Sequence, residues 1–297
     1  MKLRACDVAA WAALSHPLER GVPEALRVRL EAEEPPWGDV LVQVDAGGVV
    51  RAGIQLIRVC EGEWGLSSIL TGEGAEVDGA AATLVAEALA EAVGRGAHHV
   101  STRPGVDRCS AAWRGALVAS GFACGGRRVE YRRAVAGLPD EVGSPLQWSP
   151  AQGGEAGLRE AAALAARCSE GDPDGLEPGE DPVELLRGLL ESPGLTTGME
   201  TMHLGSLDGE PVAFVFAQVA SETGWARVTF MGLVPEVRGR GLGTWVHRHG
   251  FAMMTAQGGR LYHGGTHADN HAMRALFAKA GCKPFQTLEL WTWRATR

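Results

Sequence analysis

The run Val234-Pro235-Glu236-Val237-Arg238-Gly239-Arg240-Gly241-Leu242-Gly243-Thr244 holds the residues best suited to chemistry in this chain. It follows a predicted strand and opens a predicted helix. Glycines at such a junction let the backbone turn tightly and bring bare N–H groups up to an anion, while the helix N-terminus adds its partial positive charge. Arg238 and Arg240 bring further positive charge. The physical reading is a cradle for a pyrophosphate. A dinucleotide-binding fingerprint would need a third glycine where Thr244 or Val246 stands, and a nucleotide P-loop would need a Gly-Lys-Ser/Thr ending that is absent. The bland alternative is an Arg/Gly turn without a ligand, because glycine-rich turns alone carry little specificity.

A second cluster runs from Asn270 through His271-Ala272-Met273-Arg274-Ala275-Leu276 to Phe277, with Gly281 following. It reads as a short helix, and Asn270 is well placed both to cap it and to face a ligand. His263, His267 and His271 recur every four residues. That spacing puts ligands on one face only in a continuous helix. Here it crosses a strand, a turn and a helix start, so no metal site is expected and the three read as polar cleft or surface residues.

Together these two clusters resemble the motifs of the GNAT N-acetyltransferases. Arg-x-x-Gly-x-Gly after the strand Phe230-Met231-Gly232-Leu233-Val234 is similar to that family's motif A, and the helix from Asn270 is similar to motif B. The resemblance implies that the backbone of Leu233 and Val234 pairs with the pantetheine of acetyl-CoA or another short acyl-CoA. It implies that the amides of Arg238, Gly239, Arg240, Gly241, Leu242, Gly243 and Thr244 hold the pyrophosphate, and that Asn270 contacts the pantetheine arm. Phe277 stands where many members carry a Tyr that protonates the leaving thiolate. Phenylalanine donates no proton, so Phe277 reads as a core aromatic beside the cofactor. A general base is also required, because an acceptor ammonium must lose a proton before it can attack a thioester. The position where some relatives place a Glu is Arg227, which cannot serve. Glu200, His203, Glu222, His263 and His267 remain as candidates.

The elements that must position these residues follow from the pattern. In the second half, Glu155 to Cys168 and a stretch opened by Asp181-Pro182 are helices. Met199 to Leu207 and Pro211 to Ala220 form a hairpin around Asp208-Gly209. Trp225 to Val234 is a strand, Gly241 to Gln257 a helix, Leu261 to Thr266 a strand, Asn270 to Ala280 a helix and Phe285 to Arg294 a last strand. The first half repeats the order: strands at Asp39 to Val44, Val49 to Cys60 and Trp64 to Leu70, then a helix at Ala80 to Val93. A strand at His99 to Arg103, a helix at Ser110 to Ser120 and a strand at Arg127 to Arg133 follow. A shift of 160 residues lays Gly72 on Gly232, Gly121 on Gly281 and Tyr131 on Trp291, as an internal duplication would.

The stretch from Ala136 to Pro150 has linker composition, which places domains at 1–136 and 143–297. The fold class expected is α/β (α+β): two tandem GNAT-like domains, each a mixed, mostly antiparallel central sheet flanked by helices. The layout is similar to that of the mycothiol synthase family of double-GNAT proteins. By the same shift, Asp78 replaces Arg238, Ala81 replaces Gly241 and Thr83 replaces Gly243. Carboxylates there would repel a pyrophosphate, so the first half reads as a degenerate copy without the cofactor site.

Composition narrows the partners. With 45% hydrophobic and 22% charged residues the chain can build real cores. A net charge of −8 and no basic run argue against nucleic acid, and no stretch has the length of a membrane span. Six scattered cysteines without paired spacing suit reduced thiols and a cytoplasmic setting. The expected activity is acetyl-CoA-dependent acetyl transfer to a primary amine of a small molecule or peptide by direct attack in a ternary complex. The alternative is a non-catalytic acyl-CoA-binding or partner-recruiting module, and an oligomer is compatible with either.

Overall fold

The computed structural model describes residues 2–3, 40–44, 50–60, 62–71, 77–106, 109–135, 143–176, 179–192 and 194–295. The connection between the first two expected strands, residues 45–49, and residues 136–142 of the expected linker lie outside these residues. The chain divides into two compact units, Met1–Arg127 with Thr287–Arg297, and Arg128–Gln286. This division differs from the linear one expected at the linker, because each unit includes a strand from the other sequence half.

The strands of the first unit are β1 (Lys2–Leu3), β2 (Val40–Val44), β3 (Val50–Cys60), β4 (Glu63–Thr71) and β5 (His99–Thr102). Helices α1 (Val77–Gly94) and α2 (Ala111–Ala119) accompany them. Neighbouring strands are antiparallel except β4 and β5, which run parallel. The end of the chain completes this sheet: Trp291–Arg294, in β12 (Lys283–Arg294), pairs antiparallel with β5. Trp291 thereby enters the core formed by Ile54, Leu56, Trp64, Leu84 and Trp113.

The second unit uses β6 (Ala123–Ala134), whose residues 128–134 belong to it, and β7 (Gln147–Pro150). The strand β7 stands inside the stretch read as linker; at four residues, the last of them Pro150, it is too short to show periodicity. Then come α3 (Gly154–Ser169), α4 (Pro182–Leu190), β8 (Met202–Leu207), β9 (Glu210–Ala220), β10 (Trp225–Leu233), α5 (Gly243–Ala256), β11 (Leu261–His267) and α6 (His271–Lys279). Met199–Thr201, expected as strand, is a 3-10 turn. The sheet order is β6-β11-β10-β9-β8-β7, with only β10 and β11 parallel. Val212 to Val219 of the central strand β9 are buried without interruption, as a strand covered on both faces requires.

The two halves repeat in detail. His98 and His99 donate backbone N–H bonds to Gly62 O, as Arg260 and Leu261 do to Gly224 O. Ser110 caps α2 through Trp113 N, and Asn270 caps α6 through Met273 N. Strand placement is reciprocal as well: Trp291 stands opposite Thr102, and Tyr131 stands opposite Gly264.

Candidate functional site

The site begins with the way β10 parts from β11. The two strands pair only at Trp225↔Leu261 and Ala226↔Tyr262. Beyond that point β10 keeps β9 on one edge and has no strand on the other among the described residues. Val228 stands opposite Ala217 and Phe230 opposite Phe216, so Thr229 is an extra residue, a bulge. The Thr229 hydroxyl donates to Gln218 Oε1 at 2.8 Å, and Arg227 Nη2 donates to the same oxygen at 2.9 Å. Gln218 is wholly buried and gives its own N–H groups to Leu189 O and Thr196 O. This network holds the bulge in place.

Between the parted strands lies a cavity of about 130 Å³ reached by Thr229, Met231, Tyr262, Gly265, Asn270 and Phe277. Directly after β10 comes the glycine-rich loop. Gly239 and Gly241 have φ of +77° and +81°, a region L side chains rarely adopt, and nothing stands within 4 Å of where a Cβ would be. The loop leads into α5, whose N-terminus has no side-chain cap, so its first N–H groups are available to an anion. A second cavity, of about 270 Å³, lies along α5 and α6 and is lined by Thr244, His247, Arg248, Phe251, Leu276 and Lys279, with Arg133.

Several expected residues take other duties. The Arg238 guanidinium donates to three carbonyls, Leu233 O at 2.9 Å, Cys168 O at 2.9 Å and Glu170 O at 2.7 Å. It therefore anchors the loop to the end of α3. Arg240 is exposed and donates to Glu236 O at 3.0 Å. Leu233 pairs with Ala213 of β9, and Val234 N–H is spent on Val212 O. Leu242 is buried, and Gly243 lies against Leu276. Asn270 accepts from Met273 N as cap, and its amide donates to Asp172 at 3.0 Å and Asp174 at 2.9 Å. The acidic loop after α3 thus sits at the mouth of the cavity; Asp174 also receives N–H of His267 and the hydroxyl of Thr266. Phe277 is 1% exposed, stacked on Tyr131 at 4.3 Å, and still lines the cavity.

The candidate bases separate by place. Glu200 is exposed in the turn before β8, and Glu222 is exposed in the turn after β9. His203 Nδ1 lies 2.8 Å from His249 Nε2, and His249 stacks on Trp148. His267 stands 3.7 Å from Asp269, and His271 is an exposed first residue of α6. His263 is not among the residues lining the cavity, and its Nε2 lies 3.2 Å from Glu130. Glu130 went unnoticed in the sequence because an acidic residue between Val129 and Tyr131 looks like any solvent-facing position of a strand. Burial pushes its carboxyl up, but His263 and Arg128 outweigh that and hold it below the ordinary carboxylate range.

Among the described residues no group of three or more His, Cys, Asp or Glu is placed to hold a metal, and no helix is long and apolar enough to cross a membrane.

Comparison with known proteins agrees with this geometry. Residues 176–282 match the model of the acetyltransferase (GNAT) family. No curated protein matches the chain in sequence. Among solved structures, a GCN5-related N-acetyltransferase from Sphaerobacter thermophilus is similar, with a TM-score of 0.69 at 13% identity, covering 98% of this chain and 92% of that one. A tandem GNAT protein from the clavulanic acid biosynthesis pathway gives a TM-score of 0.60 at 17% identity, covering 100% of this chain and 98% of that one. A glucosamine N-acetyltransferase region of a fungal multi-domain β-N-acetylglucosaminidase gives 0.64 at 13% identity, covering 99% of this chain and 38% of that one. At these identities the likeness is one of fold, and it extends over the whole chain. The stretch that matches the acetyltransferase (GNAT) family model, 176–282, contains both the parted strand β10 and the glycine-rich loop.

Proposed function

We propose that the unit 128–286 transfers an acyl group, acetyl in the first instance, from coenzyme A to a primary amine. The observation that carries this reading is the bulge and free edge of β10 running straight into a glycine-rich loop and an uncapped helix. A pantetheine arm can pair with the free strand edge, and a pyrophosphate can sit on the amides of Gly239 to Thr244. The positive charge of Arg248 and Lys279 beside Thr244 favours the remaining phosphate. Amides exposed at the bulge would polarise the thioester carbonyl where its oxygen gains charge.

Direct attack in a ternary complex is preferred to a covalent acyl-enzyme. Cys168 lines the cavity, but burial pushes its thiol up to about 12, with Arg238 and Arg167 only partly opposing. A thiol held protonated is a poor nucleophile. The acceptor would be a small-molecule amine or a peptide, and the buried free thiols Cys109, Cys168 and Cys282 suit a reducing, cytoplasmic setting. One site per chain is proposed, in this unit. Its counterpart in the first half, Glu73 to Thr83, carries Glu73, Glu76 and Asp78 in sequence, and residues 72–76 lie outside the described ones.

A second reading, acyl-CoA binding without turnover, is favoured by Phe277, a fully packed ring where a proton donor would be useful. Free thiol released from acetyl-CoA across a panel of amines, with calorimetric titration of coenzyme A, separates the two. The transferase reading expects amine-dependent release and one site per chain; binding without any release leaves the second, and two equivalent sites per chain refute the single-site assignment.

A further inference from the structure

Of the side chains lining the cavity between the parted strands, several can donate a hydrogen bond, and most of those donors are spent within the protein. Ser169 Oγ donates to Ala165 O at 2.9 Å, and Thr229 Oγ1 to Gln218 Oε1 at 2.8 Å. The Thr266 hydroxyl goes to Asp174, and the Asn270 amide to Asp172 at 3.0 Å and Asp174 at 2.9 Å. The Arg128 guanidinium is divided among Glu130, Asp174 and Gly265 O. Cys168 offers only a weak S–H donor. Tyr262 differs. The residue is 1% exposed and lines the cavity, yet its hydroxyl has no hydrogen-bond partner among the described residues. That hydroxyl is not sealed in protein either, so it opens on the cavity.

Its surroundings place it at the apex of the parted strands. Tyr262 belongs to the last pair, Ala226↔Tyr262, before β10 and β11 separate. Its ring stacks on Phe277 at 6.2 Å and meets Phe251 edge-on at 4.7 Å. Gly264 follows two residues on and faces the same side of β11. A Cβ there would collide with the Tyr262 hydroxyl and come within 3.1 Å of Phe277 Cε1. Gly264 thus leaves a space bordered by the Tyr262 hydroxyl and the ring edge of Phe277.

Resting on the transferase reading, we propose that the Tyr262 hydroxyl donates the proton that the leaving coenzyme A thiolate needs. An acceptor amine, already neutral, attacks the thioester carbonyl carbon through its lone pair, and a C–N bond forms. The C–S bond breaks, the sulfur keeps that electron pair, and the Tyr262 proton moves onto it. The new amide nitrogen gives up its surplus proton, which returns to the phenolate oxygen through water. One amine and one thioester become one amide and one thiol, and Tyr262 is restored. Burial pushes the Tyr262 phenol well above the usual tyrosine value, so its proton is in place at neutral pH. A thiol in the same cavity is raised as well, for burial pushes Cys168 up to about 12. A thiolate released here is accordingly a strong base, able to take a proton from a reluctant phenol.

Tyr262→Phe keeps the ring and removes the hydroxyl alone, while Phe277→Tyr brings a hydroxyl to the other border of the same space. The full-length parent, Tyr262→Phe and the double variant Tyr262→Phe/Phe277→Tyr are compared for thiol release from acetyl-CoA with an amine that the parent accepts. Tyr262→Phe should lower kcat about 100-fold, the ordinary scale for losing a general acid. The KM for acetyl-CoA, the calorimetric coenzyme A affinity and the melting temperature should stay near parental values, because no hydrogen bond within the protein is lost. The double variant should recover about tenfold of that loss, which a merely structural Tyr262 would not allow. An unchanged kcat in Tyr262→Phe overturns the assignment while the transferase reading stands. So does a loss of kcat matched by a loss of coenzyme A affinity or a large fall in melting temperature, and so does a folded double variant with no recovery. A parent chain that releases no thiol with any amine overturns both readings. If the double variant does not fold, Tyr262→Phe alone decides.

Discussion

At the scale of single residues, the loop and the buried histidines make separate demands. Gly241 combines positive φ with open space above it, and both suit a phosphate resting on backbone. Gly241→Asp would place a charged side chain in that space and force an unfavourable φ. Coenzyme A affinity measured by calorimetry should fall by at least about tenfold, through repulsion and lost approach. Unchanged affinity in a folded variant would remove the phosphate cradle. His247 and His249 are both held down to about 4 by burial, against an ordinary 6.5. Between those values the unfolded chain takes up protons that the folded chain refuses. Stability is therefore present above about pH 6.5 and drains away as pH falls toward 4, by up to about 3 kcal/mol for each ring. Melting temperature should drop steeply through that window. His249→Gln, which can keep a hydrogen bond to His203, should flatten the drop; an unaltered slope would show that His249 does not govern it.

Elements were legible where local chemistry decides them. Asp181-Pro182 opens α4 with its carboxylate on Val183 N at 2.8 Å, as N-cap chemistry predicts. Asn270 likewise opens α6. What could not be read were side chains whose partners are distant in sequence. Arg238 looked like a phosphate ligand because it sits in the loop, yet its three carbonyl partners lie on the ends of β10 and α3. Likewise, only the fold brings Asp172 and Asp174 to Asn270, nearly a hundred residues on. The Arg238 clamp makes its own prediction. Arg238→Met keeps much of the length but leaves carbonyls without donors, which should cost about 1–3 kcal/mol of stability by denaturant melt. Coenzyme A affinity should fall less than in Gly241→Asp. A stable variant that loses coenzyme A binding entirely would instead restore Arg238 as a direct phosphate ligand.

At the scale of the whole molecule, the two-half organisation was legible from the matched order of elements, but the destination of each half's last strand was not. Alternation in Arg127 to Arg133 and Phe285 to Arg294 says that each is a strand, and nothing in a period of two names the neighbour. The unit 128–286 shows what depends on this. Residues 128–134 cover the edge of β11, Tyr131 stacks on Phe277, and Glu130 reaches His263. A fragment cut at the expected boundary, 143–297, would lose all three. It would expose the backbone of an inner strand and the apolar face of α6, a combination that invites edge pairing between molecules. We therefore expect 143–297 to be aggregation-prone or to lack a cooperative melt by circular dichroism. A fragment spanning 128–286 should melt cooperatively and bind coenzyme A, because it retains the β6 strand and every residue of the site. If 143–297 instead melts as sharply as 128–286 and binds coenzyme A equally well, the linear boundary is the better description of the domain, and the contribution of β6 to it is dispensable.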